Sequence, residues 1–557
     1  MPQDAFTIKY VAKELNETLT GGKISKITQP EKDLLIFIIY TPKGTVKLEI
    51  CLSAKGCRIN LANADLPAPK AAPNFCMLLR KHLQNAQITA VKQVEGERIV
   101  YFDLACASDF EKVDMRFYAE LMGKYSNAVL TCGGIITGAL KTTAISESTK
   151  RVLFTGAKYV LPEPQDKTNP EDLSALKALF ENLNGDAAKF IADNVRGIAY
   201  STAADIAARY GEKPAAEDVY RYICGNEIAP CVICGDGEPL DFAVRSSSEN
   251  IKSYPDVLSA QTAYYAYICE KRAFEDTKRR LSAAVNSALK KVEKRLAAIN
   301  QKLLDCRGAE DVKLKGELIT ANIYAVQRGL SEFEAVNYYD ENGGKIKIAL
   351  DKTLSPADNA QRYYKKYAKM KRTITSVTRQ KVENEAQENY FLSIASHICA
   401  AENVCDLEET EEELKSLGLI KAADEGKKRT VKQTPFRHFV AEGYKITAGR
   451  NNLQNDRLLK GASPQDIWLH TRGYHSSHVI ISAAGEAPES VLLVAAEICA
   501  YYSEGRGGAK ISVDYCKRKS VKKPPKSPAG FVTYSDFKTI LVQPSPHTEL
   551  LINDKNN

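Results

Sequence analysis

Between Gly449 and His478 the chain concentrates side chains that recognise polyanions. Gly449-Arg450-Asn451-Asn452-Leu453-Gln454-Asn455-Asp456 is followed by Asp466-Ile467-Trp468-Leu469-His470-Thr471-Arg472 and then by Ser477-His478-Val479-Ile480. Asn and Gln carry both donors and acceptors, so this cluster can address base edges, riboses and phosphates, while Arg450, Arg457 and Arg472 add charge. Trp468, His470 and Tyr474 are candidates to stack on unpaired bases. The same residues admit a purely structural reading. Asn451-Asn452 would close a hairpin, because Asn tolerates left-handed backbone, and Trp468, flanked by Ile467 and Leu469, would plug a small core.

Other chemistry-bearing residues lead to narrower expectations. Cys224, Cys231 and Cys234 include a Cys-x-x-Cys half-site, but a tetrahedral zinc site needs a fourth ligand and none lies nearby. His470, His475 and His478 cluster without an acidic ligand other than Asp466. No Ser/His/Asp triad, phosphate-binding loop or pair of carboxylates stands out, so neither a cofactor, a metal nor a covalent catalytic step is expected.

The elements that must hold these residues can be read coarsely. Residues 1–165 read as a β-rich domain. Leu34 to Tyr40 and Val46 to Cys51 flank the turn Thr41-Pro42-Lys43-Gly44, Ile99 to Leu104 and Asn127 to Thr131 are further strands, and Ala72 to Asn85 is a helix. Residues 166–258 alternate short helices with loops. Asp186 to Asn194 and Ser201 to Tyr210, around Ile198-Ala199-Tyr200, resemble a helix-hairpin-helix, which holds phosphates on backbone amides, although the pattern here is Gly197 followed by Ala199.

From 259 to 430 the periodicity is helical. Val285, Leu289, Val292, Leu296, Ile299 and Leu303 alternate spacings of four and three, a coiled-coil seam. A second helix runs from Pro356 to about Leu417. Asn342-Gly343-Gly344 and the alternating Lys345 to Leu350 place a small β tip near 339–354, so the two helices form an antiparallel hairpin; 60 helical residues would reach roughly 90 Å. Residues 431–557 form a C-terminal α+β module.

A chain of 557 residues is too long for one core. Its 77 cations and 69 anions leave +8, but the distribution is uneven. Lys271 to Ile319 carries 13 cations and 7 anions, Gln361 to Arg372 carries 6 and none, and Lys517 to Lys526 again 6 and none, whereas Glu402 to Glu413 holds 7 anions and no cation. Basic stretches on separate segments suit a polyanion gripped at several points, though any single run also suits a solvated helix face. Asp4 and Lys9 interrupt any N-terminal apolar run, so the 14 Cys read as reduced cytosolic thiols rather than a secreted disulfide framework. Leu34 to Tyr40 is far short of the ~20 residues that span a bilayer.

The C-terminal string resembles the RNA-binding module of the RqcH family, bacterial ribosome-quality-control factors related to the eukaryotic nuclear export mediator factor and long described as fibronectin-binding proteins. The resemblance continues through Val513-Asp514-Tyr515, the Lys517 to Lys526 run and Gly530-Phe531-Val532-Thr533-Tyr534. It returns at Met1-Pro2-Gln3-Asp4-Ala5-Phe6 and Glu120-Leu121-Met122-Gly123-Lys124-Tyr125-Ser126-Asn127, and so covers essentially the whole chain.

It implies a multidomain α+β protein with a tRNA-engaging N-terminal domain similar to the formamidopyrimidine-DNA-glycosylase N-terminal fold. Val94-Glu95-Gly96-Glu97-Arg98-Ile99 occupies the place of the family's Asp-Arg pair, with Glu97 one methylene longer. Together with Arg98 and with Glu120, Leu121 and Met122, it is implied to engage tRNA. Arg450, Asn451, Asn452, Gln454, Asn455, Asp456, Trp468, His470, Arg472, Ser477, His478, Lys517, Lys519, Lys522 and Lys523 are implied to bind RNA.

The partners implied are the large ribosomal subunit and its rRNA, a stalled peptidyl-tRNA and a charged tRNA, alanyl-tRNA in bacteria, with room for a small RNA-binding companion protein. The ribosome would then extend the stalled chain with a template-free tail that marks it for degradation, in the cytoplasm. A surface adhesin that binds fibronectin is the rival class. A glycosylase working through Pro2 lacks the Glu that follows Pro in those enzymes, since this chain has Gln3.

Overall fold

The computed structural model describes residues 3–54, 56–62, 69, 71–107, 112–143, 151–340, 343–421, 434–483, 485–525 and 527–552. Met1, Pro2, Asn342 and Lys526, named above, lie outside the described residues. The protein is a multidomain α+β chain with a β-rich N-terminal region, a long helical region and a β-rich C-terminal module. Its two compact units are Met1–Glu270 and Lys271–Asn557.

The first unit opens with helix α1 (Ala5–Leu19), whose N-cap Asp4 accepts from the Thr7 amide at 2.8 Å. Strands β1 (Lys23–Glu31), β2 (Leu34–Thr41), β3 (Gly44–Cys51) and β4 (Arg58–Leu61) precede helix α2 (Asn74–Leu83). Strands β5 (Gln87–Gln93), β6 (Ile99–Ala107), β7 (Lys112–Glu120), β8 (Asn127–Cys132) and β9 (Ile135–Ala139) complete an antiparallel sheet ordered β4-β3-β2-β1-β5-β6-β7-β8-β9.

Helices α3 (Leu173–Phe180), α4 (Ala187–Asn194), α5 (Tyr200–Tyr210) and α6 (Ala216–Cys224) follow, then strands β10 (Cys231–Gly235), β11 (Glu238–Ala243) and β12 (Ile251–Ser253). Leu176, Ile191, Ile206, Val219 and Phe242 belong to the same apolar core as Val11, Leu15, Phe102 and Phe117. The helical segment therefore shares its interior with the sheet instead of enclosing one of its own. Helix α7 (Val257–Asp305) starts on this unit, where the Glu14 carboxylate accepts from its first amides, Val257 at 2.9 Å and Leu258 at 2.8 Å.

In the second unit α7 continues to Asp305, 49 residues or roughly 73 Å in all. Gly308 separates it from helix α8 (Ala309–Ala321). Strands β13 (Glu332–Val336) and β14 (Lys345–Ala349) form a hairpin, and helix α9 (Pro356–Ala400) returns antiparallel. Lys278 reaches the carbonyls of Cys399 and Ala401, while Arg295, further along α7, reaches Gln387. The seam residues Val285, Leu289, Val292 and Leu296 pack with Phe391, Ile394 and Ile398.

The single second helix expected to Leu417 breaks at Ala401–Asn403. Asn403 turns its side chain back onto the Asp406 amide at 3.1 Å and so N-caps a separate helix, α10 (Val404–Ser416).

The C-terminal module has strands β15 (Arg437–Ala441), β16 (Tyr444–Ala448), helix α11 (Asn452–Gly461), strands β17 (Ile467–Thr471), β18 (Val479–Ser482), helix α12 (Glu489–Tyr501), and strands β19 (Ile511–Lys517), β20 (Val521–Lys522), β21 (Thr533–Tyr534) and β22 (Lys538–Val542). Its sheet order is β15-β16-β18-β17-β19-β22. Because side chains alternate along a strand, Ile467 and Leu469 join the core under α12, whereas Trp468 enters a second core with Leu458, Leu459, Ile480, Cys516 and Val521.

Candidate nucleic-acid interface

In the first unit, antiparallel pairing brings two turns to one end of the sheet. Ile99 pairs with Glu120, and Glu120 with Asn127, so the β5–β6 turn carrying Glu97-Arg98 lies beside the β7–β8 turn that follows Glu120. The Leu121 amide donates to the Arg98 carbonyl at 2.8 Å and ties the two together.

The α4–α5 loop closes on the first turn from the other side. Gly197 has φ +76°, its carbonyl accepts from the Ala5 amide at 3.0 Å, and a Cβ there would sit 2.9 Å from Ala5 Cβ and 3.1 Å from the Gly96 carbonyl oxygen. Asp4 links the same elements, because its second oxygen accepts from the Ala199 amide at 3.0 Å. Arg196 thereby lies against Gly96, within 2.6 Å of where a Cβ would be.

A cleft of about 190 Å³ opens here, lined by Lys9, Glu95, Gly96, Asn169 and Arg196 among others. Burial pushes the Glu97 carboxyl above its ordinary range, and Arg196 and Arg98 pull it back. The Glu97-Arg98 pair thus sits at a junction of three backbone segments with a second guanidinium beside it.

Glu120 and Leu121 stand differently. Glu120 is 1% exposed, and its carboxylate receives the Arg151 guanidinium at 2.5 and 2.9 Å and the Tyr159 hydroxyl at 2.8 Å. Leu121 is fully buried. Their side chains are inside, with Met122 half-buried and Lys124 and Tyr125 exposed just beyond them.

In the C-terminal module the structure corrects the expected placement of the amide-rich string. Asn451 closes no hairpin. It N-caps α11, accepting from the Gln454 amide at 2.9 Å, and donates to Glu409 at 3.3 Å. Asn452 lies 3.2 Å from His397 Nε2 and donates to Ser393 at 2.9 Å. Gln454 accepts from the Arg450 amide and donates to Glu409 and to the Thr434 carbonyl. Asn455 accepts from the His478 amide at 3.0 Å. Asp456 accepts from the Gly530 amide and pairs with Lys523.

Arg437 and Arg450 both pair with Asp406, and Arg457 pairs with Glu409 at 2.5 Å. Asp406, Glu409 and Glu413 are spaced three and four apart and so share one face of α10. The anionic run is the counterpart of the amide and guanidinium motif. That spacing was readable in the sequence as half of an interface, and neither it nor the contribution of Arg196 entered the sequence reading.

Trp468 is fully buried, stacked on His470 with centroids 5.7 Å apart and met edge-on by His478 at 5.3 Å. It fills a core, as the structural reading required, and is not placed to stack on a base. Burial holds the His470 and His397 imidazoles down to about 4, and lowers His478 too. Ser477, 2% exposed, lies inside as well.

The candidate residues that reach solvent are Lys517, Lys519, Lys522 and Lys523, in and after the turn Arg518–Ser520, and Arg472, whose guanidinium bonds Asp514 at 3.1 Å and lies over Phe537. Cys224, Cys231 and Cys234 lie in β10 and at the end of α6, and no three metal-ligating side chains converge among the described residues. No helix is long and apolar enough to cross a membrane among the described residues.

Comparison with known proteins fits this layout. Residues 4–433 match the family model described as NFACT N-terminal and middle domains, and residues 435–535 the one described as NFACT protein RNA binding domain. A protein of Streptococcus suis named Rqc2 homolog RqcH is 30% identical over 552 residues, 98% of each chain. The Bacillus subtilis protein of the same name is 29% identical over 555 residues, 96% of each. Among solved structures, the C-terminal part of the fibronectin/fibrinogen-binding protein from Streptococcus suis is 29% identical, with a TM-score of 0.41 over 50% of this chain and 100% of that one. With both family models matched in order and relatives aligned from end to end, the chain belongs to the NFACT family and, within it, to the RqcH proteins.

Proposed function

We propose that this protein is a cytoplasmic ribosome-associated quality-control factor that binds obstructed large ribosomal subunits carrying peptidyl-tRNA. It recruits a charged tRNA, alanyl-tRNA by analogy with the family, so that the ribosome extends the stalled chain with a template-free C-terminal tail that marks it for degradation. The protein makes no covalent bond itself; it positions RNA, with or without a small RNA-binding companion protein. The observation that carries this reading is the end-to-end likeness to proteins named Rqc2 homolog RqcH.

The geometry supports a division of labour. The Glu97–Arg98 turn, with Arg196 beside it, offers guanidinium and carboxylate to tRNA, on a sheet for which a formamidopyrimidine-DNA-glycosylase-like ancestry is part of the same proposal. Lys517, Lys519, Lys522 and Arg472 offer charge to RNA in the C-terminal module.

The test is ultraviolet crosslinking of the tagged protein in cells, followed by sequencing of the bound RNA. Enrichment of one tRNA family together with large-subunit rRNA, lost or redistributed in Arg98→Ala, is expected. Background levels of both would refute the reading and leave fibronectin binding as the alternative, which cell fractionation tests directly.

A further inference from the structure

The segment Glu120-Leu121-Met122 has two of its three side chains inside the fold, so whatever contact this end of the sheet makes must fall to its neighbours. Glu120 is held by Arg151 and Tyr159, and Leu121 is core. The chain then makes one turn of 3-10 helix, Gly123–Tyr125. That turn is fixed by its backbone: Gly123 has φ +59°, the Ser126 hydroxyl accepts from the Met122 amide at 2.9 Å, and the Tyr125 and Ser126 amides return to the carbonyls of Met122 and Gly123.

Nothing in the fold needs the Tyr125 ring, which is 71% exposed. The Lys124 ammonium lies over it, 4.8 Å from the ring centroid. Through the bond from the Leu121 amide to the Arg98 carbonyl, this turn is anchored to the one bearing Glu97 and Arg98.

We propose that Tyr125, with Lys124 over its ring, is a stacking platform for an unpaired base of the tRNA loop that the Glu97–Arg98 turn engages. The inference rests on the tRNA reading above and adds the residues that carry the aromatic contact. An exposed ring on a turn fixed by its backbone bonds, with the Lys124 ammonium beside it and the turn that carries Arg98 tied to it, offers what an extruded base requires: a free π face and a nearby cation for its phosphate. Glu120, Arg151 and Tyr159 are positioning residues that hold the turn from beneath.

The experiment is fluorescence anisotropy of labelled bulk deacylated tRNA with the full chain, over a series of salt concentrations. Tyr125→Ala should weaken binding roughly 5- to 150-fold, the range expected for loss of one stacked base, with an unchanged salt slope. Tyr125→Trp should bind at least as well as the parent. Lys124→Ala should lower the salt slope by about one unit. Both Tyr125 variants should unfold at the parent temperature, because the ring lies outside the core.

If Arg98→Ala weakens binding while Tyr125→Ala leaves it at the parent value, the tRNA reading stands and the stacking platform is wrong. If the parent does not bind tRNA, both fall together.

Discussion

Replacing Glu409 by Ala should unfold the C-terminal module at markedly lower denaturant. Glu409 is 5% exposed and accepts from the Thr434 amide at 2.9 Å, from Asn451 and Gln454 at 3.3 Å each, and from Arg457 at 2.5 Å. Its removal strands those donors. Breaking a buried ion pair from one side costs ~3–5 kcal/mol. The Arg457 side chain is 32% exposed, so water reaches it and the lower end, about 3 kcal/mol, applies. Trp468 supplies the assay. It is the chain's one Trp and is fully buried in this module, so its fluorescence follows this transition and no other. With a urea dependence of ~2 kcal/mol per molar, the midpoint should fall by roughly 1.5 M. Glu408→Ala, one residue away and exposed, should move it by less than ~0.5 kcal/mol. Coincident midpoints for the two variants would refute the claim that the amide and guanidinium motif is an internal interface.

Acid should loosen the same module. His397 is held down to about 4 by burial, below the ordinary value near 6.5, so the folded state binds fewer protons and its stability, complete above 6.5, is lost as pH falls from there toward 4. The loss from His397 is about 3 kcal/mol, and His470 adds in the same direction, whereas Glu413, raised by burial, opposes it. The readout is therefore the slope of the Trp468 midpoint against pH, which should be shallower in His397→Gln; equal slopes would contradict the assignment. Gly197→Ala should cost ~1–3 kcal/mol, because a Cβ at φ +76° meets Ala5 and Gly96, and should weaken tRNA binding by displacing Arg196; a parent-like melting temperature and affinity would disprove it. Lys517, Lys519 and Lys522 changed together to Ala should lower the salt slope for RNA by about three units and leave the Trp468 transition in place.

Elements with their own periodicity were legible in the sequence. Leu34 to Tyr40, the Thr41–Gly44 turn, the seam from Val285 to Leu296 and the two helices flanking Gly197 all appear close to where local pattern puts them, because local propensity and tertiary burial agree there, whereas Leu303 at the seam's far end is only half-buried. The break at Asn403 was missed because a capping side chain competes with helix continuation without altering the apolar stripe. Strand β13 was missed because Glu332 and Glu334 alternate with Phe333 and Ala335 over only five residues.

Site residues divide along a physical line. Glu97 and Arg98 are half-buried on the β5–β6 turn, beside Arg196. Asn451 to Asp456 have the composition of a ligand-reading surface and the placement of an interior one. Sequence alone cannot separate these two cases, since buried polar groups and ligand-binding groups both need several donors and acceptors at fixed spacing. The discriminating signal is non-local: a run of anions with helical three-and-four spacing elsewhere in the chain. Where such a run exists, the cationic and amide motif has an internal partner and can remain buried. Lys517, Lys519 and Lys522 are instead exposed around the Arg518–Ser520 turn, and their charge stays in solvent. On the proposed function it is therefore the exposed rim of the C-terminal module that would meet RNA, while the dense motif at its centre packs against α10.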